Sequence, residues 1–327
     1  MSKNVLITGS SNGIGAAAAI AFAKEGYNVG VTYNTNPDGA QKIAAKCESY
    51  GVQTIVLGGN VGEHDVCKKM MEDFLAKFGT IDVLINNAGG ALKMPLGGFE
   101  KMPMEYWDSQ VNLNLNSAAY LSHYAMKNMI ENNIQGSIIN VSSVHGTIPW
   151  VRRKTLPYAA AKAGLNMFTK NLGIEAIHYG INVNGIAPGF ITTKATDRYD
   201  ESDLRDGFLR KIPAGFLGNV DDITPMMLFL ADKTKSRFIV GQTFIIDGGQ
   251  TSDGCVDKML DDGNPVNAYD IKPDVSKAIK PSLEELAEMT LNKSVIPTPM
   301  SLDQKAKPPR SFAAEYPFRH PRAKRRI

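Results

Sequence analysis

Tyr158 and Lys162 stand four residues apart in Tyr-Ala-Ala-Ala-Lys, at the start of a stretch with helical patterning. That spacing stacks a phenol and an ammonium on one helix face, a turn apart. A free tyrosine titrates near pH 10, too high to exchange protons near neutrality. A cation beside it favours the phenolate and brings it towards working pH, as acid–base chemistry on an oxygen requires. Such pairs also arise by chance, so a second feature has to support this one. It is found in Gly9-Ser10-Ser11-Asn12-Gly13-Ile14-Gly15, between the strand-like run Val5–Thr8 and an alanine-rich helix. A pyrophosphate must approach backbone N–H groups at a helix N-terminus, where side chains would block it. In that setting the glycines read as a nucleotide site rather than a structural turn.

The second strand adds a detail. An acidic residue ~20 positions beyond the glycines holds both ribose hydroxyls and selects NAD. Here the strand ends Thr32-Tyr33-Asn34-Thr35-Asn36, with no acid before Asp38. Nothing repels a 2′-phosphate, and Asn34, Thr35 and the Ser10 region are able to hydrogen-bond one. Tyr33, Asn34 and Thr35 are therefore read as the ribose end of the site, with NADP(H) expected over NAD(H). No arginine is present there to settle the choice.

These side chains need a scaffold, and the chain supplies one. Val5–Thr8, Val29–Tyr33, Ile55–Leu57, Val83–Ile85, Ser137–Val141, Ile181–Ile186 and Phe244–Ile246 read as buried strands. Between them lie the helix-length stretches Asp38–Tyr50, Glu63–Phe78, Pro103–Asn132 and Tyr158–Tyr179. Continuous apolar strands separated by helices imply a parallel sheet covered on both faces. Right-handed crossovers then give a doubly wound, Rossmann-type α/β fold of about seven strands. Residues 1–250 form that domain. Residues 251–327 hold nine of the 17 prolines and end in a basic run with Lys324, Arg325 and Arg326. So much proline disfavours an independent core, and an extended, partly disordered arm is expected.

Composition closes several alternatives. Lys plus Arg number 36 against 33 Asp plus Glu, a balance giving no reason to expect nucleic acid or an anionic membrane as partner. The longest apolar stretch, Ala16–Ala23, is far short of the ~20 residues of a membrane helix. Cys47, Cys67 and Cys255 are widely spaced with no histidine cluster, so neither a disulfide framework nor a metal site is expected. The first residues run straight into a strand without the segments of a signal peptide, and a reducing cytoplasm is expected.

Further short motifs occur in order: Asn86-Asn87-Ala88-Gly89 after the fourth strand, Asn140-Val141-Ser142-Ser143 after the fifth, Pro188-Gly189, and Asp247-Gly248-Gly249. Singly they have plain readings: the asparagines satisfy backbone at a strand end, the serines form a turn, and Pro-Gly is punctuation. Together with the glycine loop and the Tyr/Lys pair, at nearly the expected spacing, they resemble the short-chain dehydrogenase/reductase family over residues 1 to about 250. Lys211-Ile212-Pro213 and Gly241-Gln242 are similar to its oxoacyl-carrier-protein-reductase-like branch.

The resemblance implies a hydride transfer between a nicotinamide cofactor and a secondary alcohol or ketone. Tyr158 would be the acid/base, Lys162 would lower its pKa and hold the nicotinamide ribose, and Ser143 would bond the substrate oxygen. Asn114 would complete a proton relay through water, with Asn112 the competing register. Asn60 and Val61 would lie against adenine, and Asn87, Ala88 and Gly89 along the cofactor. Pro188, Gly189, Ile191 and Thr193 would meet the nicotinamide. The resemblance also implies a dimer or tetramer built through the long helices. Family members acting as epimerase or dehydratase with retained cofactor, and NADP(H)-sensing scaffolds, are the rival readings.

The gap from Ser143 to Tyr158 is slightly long for the family, and its loop carries Trp150, Arg152, Arg153 and Lys154. Those cations either steer an anionic substrate or are a solvated loop. His145 is read as a packing or hydrogen-bonding residue. Tyr199, Leu204, Phe208 and Leu209 suggest a lid over a ring-containing or apolar substrate, or packing of the lid itself. The arm departs most from relatives, which usually end soon after the Gly-Gly pair.

Overall fold

A computed structural model describes residues 2–91, 98–149, 155–193, 209 and 211–252. Seven strands form one sheet: β1 (Asn4–Ile7), β2 (Asn28–Tyr33), β3 (Thr54–Gly58), β4 (Val83–Asn86), β5 (Ser137–Val141), β6 (Asn182–Pro188) and β7 (Thr243–Ile246). All pairings are parallel, in the order β3-β2-β1-β4-β5-β6-β7. The expected doubly wound sheet is present. Its order reverses between β1 and β4, where open α/β sheets leave a crevice beyond the strand ends.

Strand side chains alternate between two cores, as pleating requires. Val5, Ile7, Val29, Val31, Val83, Ile85 and Ile139 point to one face, against α1 (Gly13–Lys24) and α2 (Pro37–Glu48). Leu6, Leu84, Ile138 and Val183 point to the other, against α3 (His64–Phe78), α5 (Ser117–Glu131) and α6 (Leu156–Ala176). Burial on both faces explains why the strands read as unbroken apolar runs.

Two readings of the helices change. Pro103–Asn132, taken as one stretch, is α4 (Met104–Val111), a π turn over Asn112–Asn116, and then α5. A helix not expected from the pattern, α7 (Thr224–Ala231), follows an Asn219/Asp222 capping box and has Pro225 in its first turn. Both are recognised helix-start signals. The proline-rich arm from Cys255 onward, Trp150, Arg152, Arg153, Lys154, Tyr199, Leu204 and Phe208 lie outside the described residues.

Candidate active site

The glycine loop is clamped between β1 and β4. Thr8 Oγ1 accepts from the backbone N–H groups of Asn87 (2.9 Å) and Ala88 (2.8 Å). In return Asn87 Nδ2 donates to the carbonyls of Thr8 (2.8 Å) and Gly9 (3.2 Å). Gly9 adopts φ +65°, and a Cβ there would sit 2.9 Å from Ala88 Cα, so only glycine lets the two loops meet. Helix α1 then starts at Gly13 with no side chain capping its N-terminus and no acid in its first turn. Its N–H groups and positive end suit a pyrophosphate. Thr193 reaches the same place, its Cγ2 3.5 Å from the position of a Cβ on Gly13.

Ser10 has a different job from the one expected. It is fully buried, donates to Ile7 O (2.8 Å) and accepts from Thr32 N (2.8 Å), stitching β1 to β2. Its hydroxyl is committed inside the scaffold, whereas Ser11, Asn34 and Thr35 are not buried. Asn60 is exposed, with Oδ1 accepting from Gly62 N, and Val61 beside it is buried. The buried amide of Asn86 bonds Ser122 Oγ and Asn140 Oδ1, and Asn140 in turn bonds Thr169 Oγ1. Asn86 therefore links β4 and β5 to both covering helices.

The other half of the site hangs from β5 and α6. Ser143 follows the end of β5 and hydrogen-bonds the phenol of Tyr158. Lys162 is buried and its Nζ donates to Val141 O at 2.7 Å, 5.8 Å from the Tyr158 ring centroid. Gly89 comes in from β4: a Cβ on it would lie 2.7 Å from Asn114 Oδ1 and 3.2 Å from Lys162 Nζ. Asn114 is buried in the π turn, accepting from Gly90 N (2.8 Å) and donating to Gln110 O (3.0 Å). A π turn admits an extra residue into a helix, a device common at functional sites. The rival Asn112 faces elsewhere, accepting from Asn116 Nδ2 at 2.7 Å. Gly189 packs on Asp247, where a Cβ would meet Asp247 Cα at 2.7 Å, so the Pro-Gly and Asp-Gly-Gly motifs form one joint. Ile191 extends it, bridging to Gly218.

Electrostatics depart from the simple expectation for the Tyr/Lys pair. Burial raises the Tyr158 phenol above its usual value, and the Ser143 hydrogen bond pulls it back. Burial brings Lys162 down to about 8. Desolvation thus governs both groups and disfavours the charged form of each. His145, edge-on to the Tyr158 ring at 6.5 Å, is kept below its ordinary value by burial, against the effect of its hydrogen bond to Ile148 O. Sequence reasoning missed the roles of Thr8, Val141 and Gln110. Thr8 is flagged by its place at a strand end before glycines; a backbone carbonyl such as that of Val141 leaves no trace in sequence.

A helix end suited to a pyrophosphate, with a cluster of half-buried Tyr158 and buried Ser143, Lys162 and Asn114 on the same parallel sheet, fits an oxidoreductase of the doubly wound class. The family comparison agrees: residues 9–251 match the model described as enoyl-(acyl carrier protein) reductase. The chain belongs to the short-chain dehydrogenase/reductase family of NAD(P)-dependent enzymes. It is 35% identical over 249 residues to the 3-oxoacyl-acyl-carrier-protein reductase FabG of Staphylococcus aureus, covering 76% of this chain and 98% of that protein. It is 33% identical over 251 residues to glucose 1-dehydrogenase 2 of Bacillus subtilis, covering 76% and 95%. The crystal structure of acetoin dehydrogenase YohF from Salmonella typhimurium superimposes with a TM-score of 0.69 at 31% identity, over 77% of this chain and 97% of that one. Residues 252–327 lie beyond the family match.

Proposed function

We propose that the protein is an NADP(H)-preferring carbonyl reductase or alcohol dehydrogenase in which Tyr158 moves the proton. The observation carrying this reading is buried Lys162, tethered to Val141 O at 2.7 Å, beneath the Tyr158 ring with Ser143 beside the phenol. When bound, the nicotinamide supplies or accepts the hydride. In reduction Ser143 and Tyr158 hold the substrate carbonyl oxygen from two sides, and Tyr158 gives it a proton. Lys162, tethered to Val141 O, offers its ammonium to the ribose and to the developing phenolate. Asn114 ties the cluster to water. The N-terminus of α1, with Gly9, Ser11, Asn12, Gly13, Ile14 and Gly15, takes the pyrophosphate. The acid-free end of β2 at Tyr33, Asn34 and Thr35 receives the 2′-phosphate. Val61 and Asn60 flank the adenine; Asn87, Ala88, Pro188, Gly189, Ile191 and Thr193 line the nicotinamide half.

The substrate class is a secondary alcohol or its ketone; the relatives are named for acetoin, glucose and 3-oxoacyl carrier protein, three different CH–OH/C=O compounds. NADPH and NADH titration, followed by their oxidation against those ketone classes, tests the reading. Turnover favouring NADPH supports it. Tight NADPH binding without turnover by any ketone would favour a retained-cofactor or sensing role instead.

The active assembly is a homo-oligomer. Helices α5 and α6 share an exterior groove lined by Met126, Ile130, Phe168 and Leu172 together with Lys127, Glu131 and Glu175. A second copy supplies both the apolar surface and the complementary charges. Light scattering of wild type and Phe168→Glu checks it, the variant dissociating. Free, buried Cys47 and Cys67 suit a reducing cytoplasm.

A further inference from the structure

Gln110 is the anomaly of this neighbourhood. It lies on α4 with no exposed surface, yet neither Oε1 nor Nε2 of its amide has a hydrogen-bond partner. Leaving buried polar groups unpaired costs on the order of 1–3 kcal/mol each, and native proteins seldom tolerate it. Internal waters are the usual remedy, each making ~3 hydrogen bonds to such groups.

Its position is specific. Asn114 Nδ2 donates to Gln110 O at 3.0 Å, so the two residues are one turn apart and bonded through the backbone. Helix α4 packs on α6. The helical layer joining β4 to β5 and the helix joining β5 to β6 both return the chain between parallel strands, so they run in the same direction. Asn114 Oδ1 is already bonded to Gly90 N, and its Nδ2 to Gly90 O and Gln110 O. Among the described residues Gln110 is the side chain whose amide has both buried atoms unpaired, whereas Asn86 and Asn166 leave only Oδ1 so.

We propose that the Gln110 amide binds a buried water that extends the polar chain from Lys162 and Asn114 towards solvent. The proposal rests on the reductase reading for its purpose. In reduction Tyr158 gives up its O–H proton to the substrate oxygen as the carbonyl carbon receives the hydride. The phenolate regains a proton from water, ultimately from bulk solvent, and the Gln110 water is a station on that route. Gln110 is a positioning residue: it holds the water and touches neither substrate nor cofactor.

The test compares wild type with Gln110→Met, which keeps the volume and removes the amide. High-resolution crystal structures of the full chain should show a water bonded to the Gln110 amide and none in the variant. The variant should fold, melt no lower than wild type and bind NADPH equally well. Its kcat for ketone reduction should fall roughly tenfold, short of the 10²–10⁴ that general acid–base catalysis supplies, with KM unchanged and a larger solvent deuterium isotope effect. A dry Gln110 amide overturns the site, and wild-type kcat with an unchanged isotope effect overturns its role. Failure of the reductase reading is separately visible: wild type would turn over no ketone while the crystallographic water stood or fell by itself.

Discussion

Lys162 Nζ and the carbonyl of Val141 are joined by a 2.7 Å hydrogen bond that fixes the cation at the end of β5. The bond holds the ammonium in place while burial works against its charge. Because burial lowers Lys162 from 10.5 to about 8, the unfolded chain binds more protons between those values. Stability gains on that account as pH rises from about 8 to 10.5. Below about 8 the full desolvation penalty is present. Lys162→Met should therefore be inactive yet melt higher than wild type at pH 7. The upper bound is roughly 3 kcal/mol, less what Val141 O loses with its donor. The advantage should vanish above pH 10.5, and calorimetry across pH checks both signs.

Tyr158→Phe removes the proton and keeps the ring. Turnover should drop by about 10²–10⁴, while NADPH affinity by fluorescence titration stays within about fivefold, since a phenol contributes roughly 1 kcal/mol to a neutral hydrogen bond. Full activity in this variant would remove Tyr158 from the mechanism.

The raised phenol makes the two directions differ with pH. Reduction needs the protonated tyrosine, so its rate should hold through neutrality and fall as pH climbs towards the phenol's value. Oxidation needs the phenolate and should rise over the same range. Paired pH profiles of kcat check the opposite slopes.

At the end of β2, Asn34→Asp places a carboxylate where a 2′-phosphate would sit. The KM for NADPH should rise about tenfold or more relative to NADH, the scale of one like-charge contact near a surface. An unchanged ratio would put the phosphate elsewhere.

Ser10→Ala separates scaffold from site. Loss of the bonds to Ile7 O and Thr32 N should cost about 1–3 kcal/mol in denaturant unfolding, with cofactor KM values unchanged.

The sheet was legible because strands buried on both faces must be largely apolar, and Val5–Ile7, Val83–Ile85 and the Ile138-Ile139 pair of β5 are. The shared face of Tyr158 and Lys162 was legible from spacing, but its chemistry only from the company of the other motifs. Ser10 was not, because a hydroxyl beside glycines suits either a phosphate or a strand-to-strand stitch, and only the packing decides. Asn112-Leu113-Asn114-Leu115-Asn116 gave no warning of a π turn, since one extra residue barely perturbs the apolar pattern of a long helix. Nor was the lowering of Tyr158 borne out: spacing puts two groups together, but burial determines which charge state each prefers.

The π turn has a consequence for how such a chain can change over time. Each residue advances an α-helix by about 100°. Deleting one residue between 112 and 116 would let the turn close as regular helix and swing Asn114 off the Gly90 backbone. Helix α5 would keep its core contacts after the same rotation only by sliding, so the lesion would fall mainly on α4 and the asparagine. A single lost codon there would produce a folded, nucleotide-binding protein with a crippled proton path.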